Sequence, residues 1–221
     1  MWSVKHSRSF IHSPELEAIS SWNKQGVGLL TGYSGIFFLS HIWQFYLVRS
    51  GYVIHNIDCA IRFDAYAIAE EALGNQIAPE DIHDKITVSR CFTPYQILDE
   101  TRDVIQTANP DRLCFILAPS KQFFDGDVSF DEGSFLLKKL TGLFLDFQKK
   151  SIPLMIVEKE NYSHHAFRLF YAEIVKMANP VFRLKIMQQQ FKKYYSVRIS
   201  STQANEKKGE KLWDAQSLLI P

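Results

Sequence analysis

The chain alternates short strand-like runs with segments of helical period, and this rhythm limits its fold more than any other feature. Residues 28–31, 52–57, 85–89, 113–117 and 153–157 read as strands, while 36–49, 65–73, 94–106, 133–149 and 163–177 read as helices. Ser50-Gly51, Gly74-Asn75 and Asn109-Pro110 close three of those helices locally. Strands joined through helices run parallel, and a parallel sheet buries both of its faces. The expected fold is therefore α/β, with helices on either side of a mostly parallel sheet.

The first strand leads into the run Leu29-Leu30-Thr31-Gly32-Tyr33-Ser34-Gly35-Ile36-Phe37-Phe38-Leu39 and then an apolar helix. An apolar strand, a glycine turn and a helix N-terminus form the frame of a phosphate-binding loop. With the pattern G-x-x-x-x-G-K-[ST] started on Gly32, its second glycine falls on Phe37, its lysine on Phe38 and its hydroxyl residue on Leu39. With Gly35 as the second glycine, the lysine position is Ile36 and the hydroxyl position Phe37. Neither register supplies a cation for phosphates or a hydroxyl for magnesium, so the frame is present without its chemistry.

The length suits one domain spanning 1–221, with its core over about 26–200. A short helix is expected over 14–24, capped by Ser13, and antiparallel strands over 181–187 and 194–200 finish the sheet. Residues 202–211 are polar and expected to be mobile, and 213–220 are an apolar segment able to dock back. The net charge of +1 makes no general case for nucleic acid or membrane. The longest apolar stretch, 28–48, is interrupted by Gly32, Ser34, Gly35, Ser40, His41 and Gln44, and residues at the N-terminus lack an apolar leader core. A cytoplasmic protein that does not enter the membrane is expected, with Cys59, Cys91 and Cys114 as small buried groups.

Several segments, in order, resemble the ATPase core of RecA/RadA-type recombinases. Asn56-Ile57-Asp58-Cys59-Ala60-Ile61-Arg62-Phe63 resembles the motif Y-I-D-T-E-G-T-F, and Val88-Ser89-Arg90-Cys91-Phe92-Thr93, followed by Gln96 and Leu98, resembles the A-R-A-F/Y segment. Residues 113–120 resemble the strand L-L-I-V-D-S, and 152–158 resemble the strand that ends in T-N-Q before a DNA-facing loop. The resemblance implies a RecA-like three-layer αβα sandwich. It also implies losses: the catalytic glutamate falls on Ala60, the metal-associated aspartate on Ala118, and the γ-phosphate sensors on Glu158 and Lys159. Phosphoryl transfer rests on positioning and charge stabilisation, so a site lacking lysine, magnesium ligand and water-orienting acid is expected to be a pseudo-ATPase without a nucleotide cofactor. Phe37, Phe38 and Leu39 are expected to fill the phosphate space.

Other clusters carry less. Residues 125–136 have a calcium loop's alternating acids, but Phe130 stands at the turn glycine and Leu136 at the bidentate glutamate, so the acids are expected to cap a helix starting near Gly133. His164 and His165 are adjacent and diverge on a helix, so they do not grip one metal. The run 174–205 holds Lys176, Arg183, Lys185, Lys192, Lys193 and Arg198 without an acid, with Phe191, Tyr194 and Tyr195 among them. Cations interleaved with aromatics suit a single-stranded nucleic acid, and equally a solvated strand pair. The expected function is that of an accessory partner in DNA recombination or repair, contacting a RecA-like homologue or a second copy and single-stranded DNA. Trp2, Phe10 and Trp22 are candidate partner contacts. A scaffold module making protein contacts alone, and an ATPase with a rebuilt phosphate site, are the alternatives.

Overall fold

A computed structural model describes residues 18–109, 111–124, 128–161, 164–189 and 192–200, with side chains described through residue 185. The elements are β1 (Val27–Gly32), α1 (Ile36–Arg49), β2 (Val53–Asp58), α2 (Ala65–Gly74), α3 (Pro79–His83), β3 (Ile86–Arg90), α4 (Pro94–Gln106), β4 (Arg112–Leu117), a 3-10 turn (Lys121–Phe124), α5 (Phe130–Lys149), β5 (Leu154–Lys159), α6 (His165–Met177), β6 (Val181–Gln189) and β7 (Lys192–Ser200). Residues 14–17, 202–211 and 213–220, and the contacts proposed for Trp2 and Phe10, lie outside the described residues. Residues 18–20 are helical.

The strands form one sheet in the order β3-β2-β4-β5-β1-β6-β7. β1 to β5 pair only in parallel, as the alternation predicts, and β6 adds to β1 in parallel as well. From β1 the chain travels outward to β2 and β3, then turns and travels back through β4 and β5 to β6. Right-handed crossovers require helices of the outward leg on one face and those of the return leg on the other. The core divides that way. Trp43 and Leu47 of α1, Ile68 of α2 and Ile82 of α3 pack with Leu30, Ile54, Phe115 and Val157. On the opposite face Ile97 of α4, Leu140 and Phe144 of α5 and Phe167 of α6 pack with Leu29, Ile57, Ile116 and Ile156. This is a three-layer αβα sandwich.

The C-terminal strands differ from the expectation. β6 joins β1 in parallel, with Leu29 beside Val181 and Gly32 beside Leu184, because α6 carries the chain back to the start of the strands before β6 begins. β7 returns along β6, Val181 opposite Ser200 and Gln189 opposite Lys192. The end of the sheet is thus one more parallel crossover followed by a hairpin, and not a pair of strands both running against the rest.

Helix starts follow their capping residues. Asp64 accepts the N–H of Tyr66 and Ala67 at the head of α2, and Thr93 precedes Pro94 and accepts the N–H of Gln96 at the head of α4. α5 begins at Phe130, a turn before Gly133, because the Ser129 hydroxyl accepts the N–H of Glu132 at 3.3 Å. Asp131 and Glu132 occupy its first turn, where the helix dipole favours them. His164, adjacent to His165, caps α6 through Nδ1 to the N–H of Ala166 and stacks on Phe124 at 4.4 Å. α3 is a five-residue helix started by Pro79, too short to show a period in the sequence.

Candidate functional site

In parallel sheets with connections on both faces, the strand C-termini border a crevice where neighbouring chains leave in opposite directions. Here β2 leaves outward and its neighbour β4 leaves on the return leg, while β1 and β5 diverge in the same sense. The resemblance places its altered positions along this edge, and the structure brings them there.

The glycine turn is short. Gly32 ends β1 against β6, where a Cβ would stand 2.6 Å from the carbonyl oxygen of Leu184, so no larger residue fits without parting the two strands. Gly35 holds φ of 75° at the head of α1 and gives the helix no side-chain cap. The first turn of α1 then presents Ile36, Phe37 and Phe38. Ile36 and Leu39 are buried in the core, and Phe37 and Phe38 line a cleft of about 400 Å³ with His41, Ile61, Arg62, Phe63 and Asp64. The Arg62 guanidinium lies over the Phe37 ring, 5.4 Å from its centroid.

The two acids at the edge are spent on the backbone. Asp58, 1% exposed, accepts the N–H groups of Ala60 and Arg62 on Oδ1 and of Phe63 on Oδ2, which folds the loop after β2 back on the strand. Arg90 approaches it at 3.9 Å. Glu158, fully buried, accepts the N–H of Ser120 on Oε2 at 3.0 Å and of Lys159 on Oε1 at 2.9 Å. Burial pushes its carboxyl up to about 7, against the pull of Ser120 and Lys159. The Ser120 hydroxyl is buried without a hydrogen-bond partner of good geometry. Ala118, in the left-handed region at φ 51°, and Ala60 are both buried.

His41, buried on the second turn of α1, accepts the Asp64 N–H on Nε2 at 3.3 Å and meets the Phe63 ring edge-on at 5.4 Å. Burial lowers its pKa to about 4, against the pull of Asp64 and Asp58. Glu158 and His41 therefore bias stability in opposite directions. The raised Glu158 favours the fold fully below about pH 4.5 and loses that as pH rises through 7. The depressed His41 favours it above pH 6.5 and loses that as pH falls toward 4. Each is worth at most about 3 kcal/mol. In denaturant titrations the wild-type fold is expected to change little between pH 4.5 and 6.5. Glu158→Gln removes the opposing acid, so its stability relative to wild type is expected to improve by about 3 kcal/mol from pH 4.5 to pH 8. A constant difference across that range would contradict a buried, neutral Glu158.

A second polar network ties the end of β1 to its surroundings. The Tyr171 hydroxyl lies 3.0 Å from the Thr31 hydroxyl and donates to Glu160 Oε1 at 3.0 Å, where Arg183 Nε also arrives at 3.4 Å. Arg183 is therefore ion-paired, and not a free cation for a ligand. The other basic candidates do not converge. Lys176 is exposed near the end of α6, beside the start of the strands, while Lys185 is exposed midway along β6. Pairing sets Arg198 opposite Arg183, and Lys192, Lys193 and Tyr194 opposite Gln189, Gln188 and Met187 at the far end of the hairpin. The side chains of these four residues lie outside the described part of the structure.

Among the described residues no helix is long and apolar enough to cross a membrane, and no group of His, Cys, Asp and Glu is arranged to hold a metal ion. Cys59, Cys91 and Cys114 are free and buried, and burial pushes their thiols up, away from the nucleophilic thiolate. Sequence reasoning missed His41, Arg62 and Phe63 as a group. Their signal was a set of polar residues, Ser40, His41 and Gln44, inside an otherwise apolar helix. In a comparison with protein-family models and with curated proteins, the chain matches none.

Proposed function

We propose that the chain is a catalytically silent RecA-like domain that serves as an accessory partner in DNA recombination or repair, through protein contacts and single-stranded DNA. One observation carries the silent part of this reading. At the carboxyl edge, Phe37 and Phe38 line the space next to the glycine turn, and the acids still present, Asp58 and Glu158, are occupied by backbone N–H groups. Such a site offers phosphates no lysine and holds its two buried carboxylates on the backbone.

DNA contact rests on the basic, aromatic hairpin β6–β7. Fluorescence anisotropy of a labelled single-stranded oligonucleotide, titrated at several salt concentrations, is expected to show affinity that falls steeply with salt. Lys192→Glu with Lys193→Glu is expected to weaken it by about tenfold or more at low salt. Absence of binding by the wild type at low salt would remove DNA from the reading.

A scaffold role through protein contacts alone is the second reading, and a different observation favours it. Tyr33, Ile61, Tyr66, Phe92, Tyr95 and Phe130 all follow strand C-termini and are each more than half exposed, which gathers apolar surface at one end of the molecule.

A further inference from the structure

The cleft between α1 and the loop after β2 has walls of one character and donors of another. Phe37, Phe38, Ile61 and Phe63 supply its apolar faces. Arg62 lies across Phe37, and its Nε is buried with no partner. His41 is 1% exposed, and because its Nε2 accepts from Asp64, its proton sits on Nδ1, which is also buried with no partner. Buried donors left unpaired are costly, so two along one small cleft mark a place where an acceptor belongs.

The local charge agrees. α1 starts beside the cleft with no side-chain cap and no acid in its first turn, so its N-terminal N–H groups add positive potential. The acids nearby each accept backbone N–H groups. Asp64 caps α2, with its charge at that helix's favourable end, and Asp58 holds the loop through the N–H groups of Ala60, Arg62 and Phe63. Arg62 is the cation left to face a ligand. Ile61 holds the rim at φ 54°, a left-handed conformation that a β-branched residue adopts only under constraint, and its side chain is 66% exposed.

We propose that this cleft binds a small carboxylic acid carried on an aromatic body, with the carboxylate on Arg62 and His41 and the ring between the phenylalanines. A planar guanidinium fork matches a planar carboxylate, and the volume of about 400 Å³ suits a ligand of that size lined by apolar walls. A phosphate ester is the poorer match, since its larger charge meets one arginine, no lysine and a ring of phenylalanines.

The test is calorimetric titration of the full chain with 3-phenylpropionate, set against inorganic phosphate and 3-phenylpropanol. The acid is expected to bind, and the alcohol and phosphate to bind at least about tenfold more weakly. Arg62→Gln and, on the exposed rim, Ile61→Asp are each expected to weaken the acid about tenfold or more while leaving the far-UV circular dichroism unchanged. In nitrogen-15 spectra the His41 Nδ1 resonance is expected to shift on addition of the acid. Absence of heat with 3-phenylpropionate at millimolar concentration, phosphate binding as tightly as the acid, or folded variants that retain wild-type affinity would each overturn the proposal. The DNA reading would survive such a failure, because it rests on the hairpin β6–β7, no described residue of which lines this cleft.

Discussion

Gln44→Leu is expected to destabilise the fold by about 3 kcal/mol, one of the largest single-residue effects in the molecule. Gln44 on α1 and Asn56 on β2 are both fully buried and face each other with reciprocal amide bonds. Gln44 Nε2 donates to Asn56 Oδ1 at 2.9 Å, and Asn56 Nδ2 donates to Gln44 Oε1 at 2.9 Å. Each amide satisfies the other in a layer that is otherwise apolar. Removing one leaves a donor and an acceptor stranded, at about 1–3 kcal/mol each. In a chain of this size the midpoint of thermal unfolding should fall by roughly 10 °C. The double variant Gln44→Leu with Asn56→Val removes both polar groups and is expected to be no less stable than the single variant. Simple additivity of the two losses would show that the pair is not coupled as its geometry requires.

Gly133→Ala is the other large effect, and it comes from space and not from polarity. Gly133 lies in the first turn of α5, where a Cβ would stand 2.2 Å from the carbonyl oxygen of Phe123. Phe123, 2% exposed, sits in the 3-10 turn that follows β4 and packs into the core beneath α5. Neither a backbone carbonyl nor a buried ring yields cheaply, so the methyl group forces turn and helix apart at a cost of about 3 kcal/mol. The same helix holds its own control. At Gly142 a Cβ meets nothing within 4 Å, and Gly142→Ala is expected to stabilise by roughly 0.5–1 kcal/mol through helix propensity. Urea titrations of the two variants, with slopes compared to wild type, separate the effects. Equal responses at both positions would mean that the close approach at Gly133 is not real.

Helix ends written into adjacent residues were legible. α1 and α4 have the limits expected of them, because Gly35, Ser50-Gly51 and Thr93-Pro94 act through local backbone geometry. The layered sandwich was legible too, since parallel strands joined by helices admit few other packings. The direction of β6 was not. Its alternating pattern fits either orientation, and only the length of α6 and the neighbour it finds in β1 decide between them. The candidate site was half legible. Phe37, Phe38, Ala60 and Ala118 were singled out by the resemblance and lie at the carboxyl edge, whereas the engagement of Asp58 and Glu158 by backbone N–H groups depends on loops folding back from elsewhere. His41, Gln44 and Ser40 first appear as interruptions of an apolar stretch. Their meaning lies across the layer, in Asp64 and Asn56 and, for Ser40, in the carbonyl of Phe37.

The position of β1 also bears on how the chain is made. Among the described strands it is the first to be synthesised, yet its neighbours are β5, through Val27 beside Leu154, and β6, through Leu29 beside Val181. Until β5 has left the ribosome, β1 has no partner on either side and its apolar residues have no sheet to enter. β2 to β4, in contrast, find each other earlier and form a half-sheet whose open edge is the place kept for β5. Nascent chains halted before β5 thus expose both an unpaired central strand and an unpaired sheet edge, the combination most prone to association with other chains. The sheet closes late, around the earliest of its described strands.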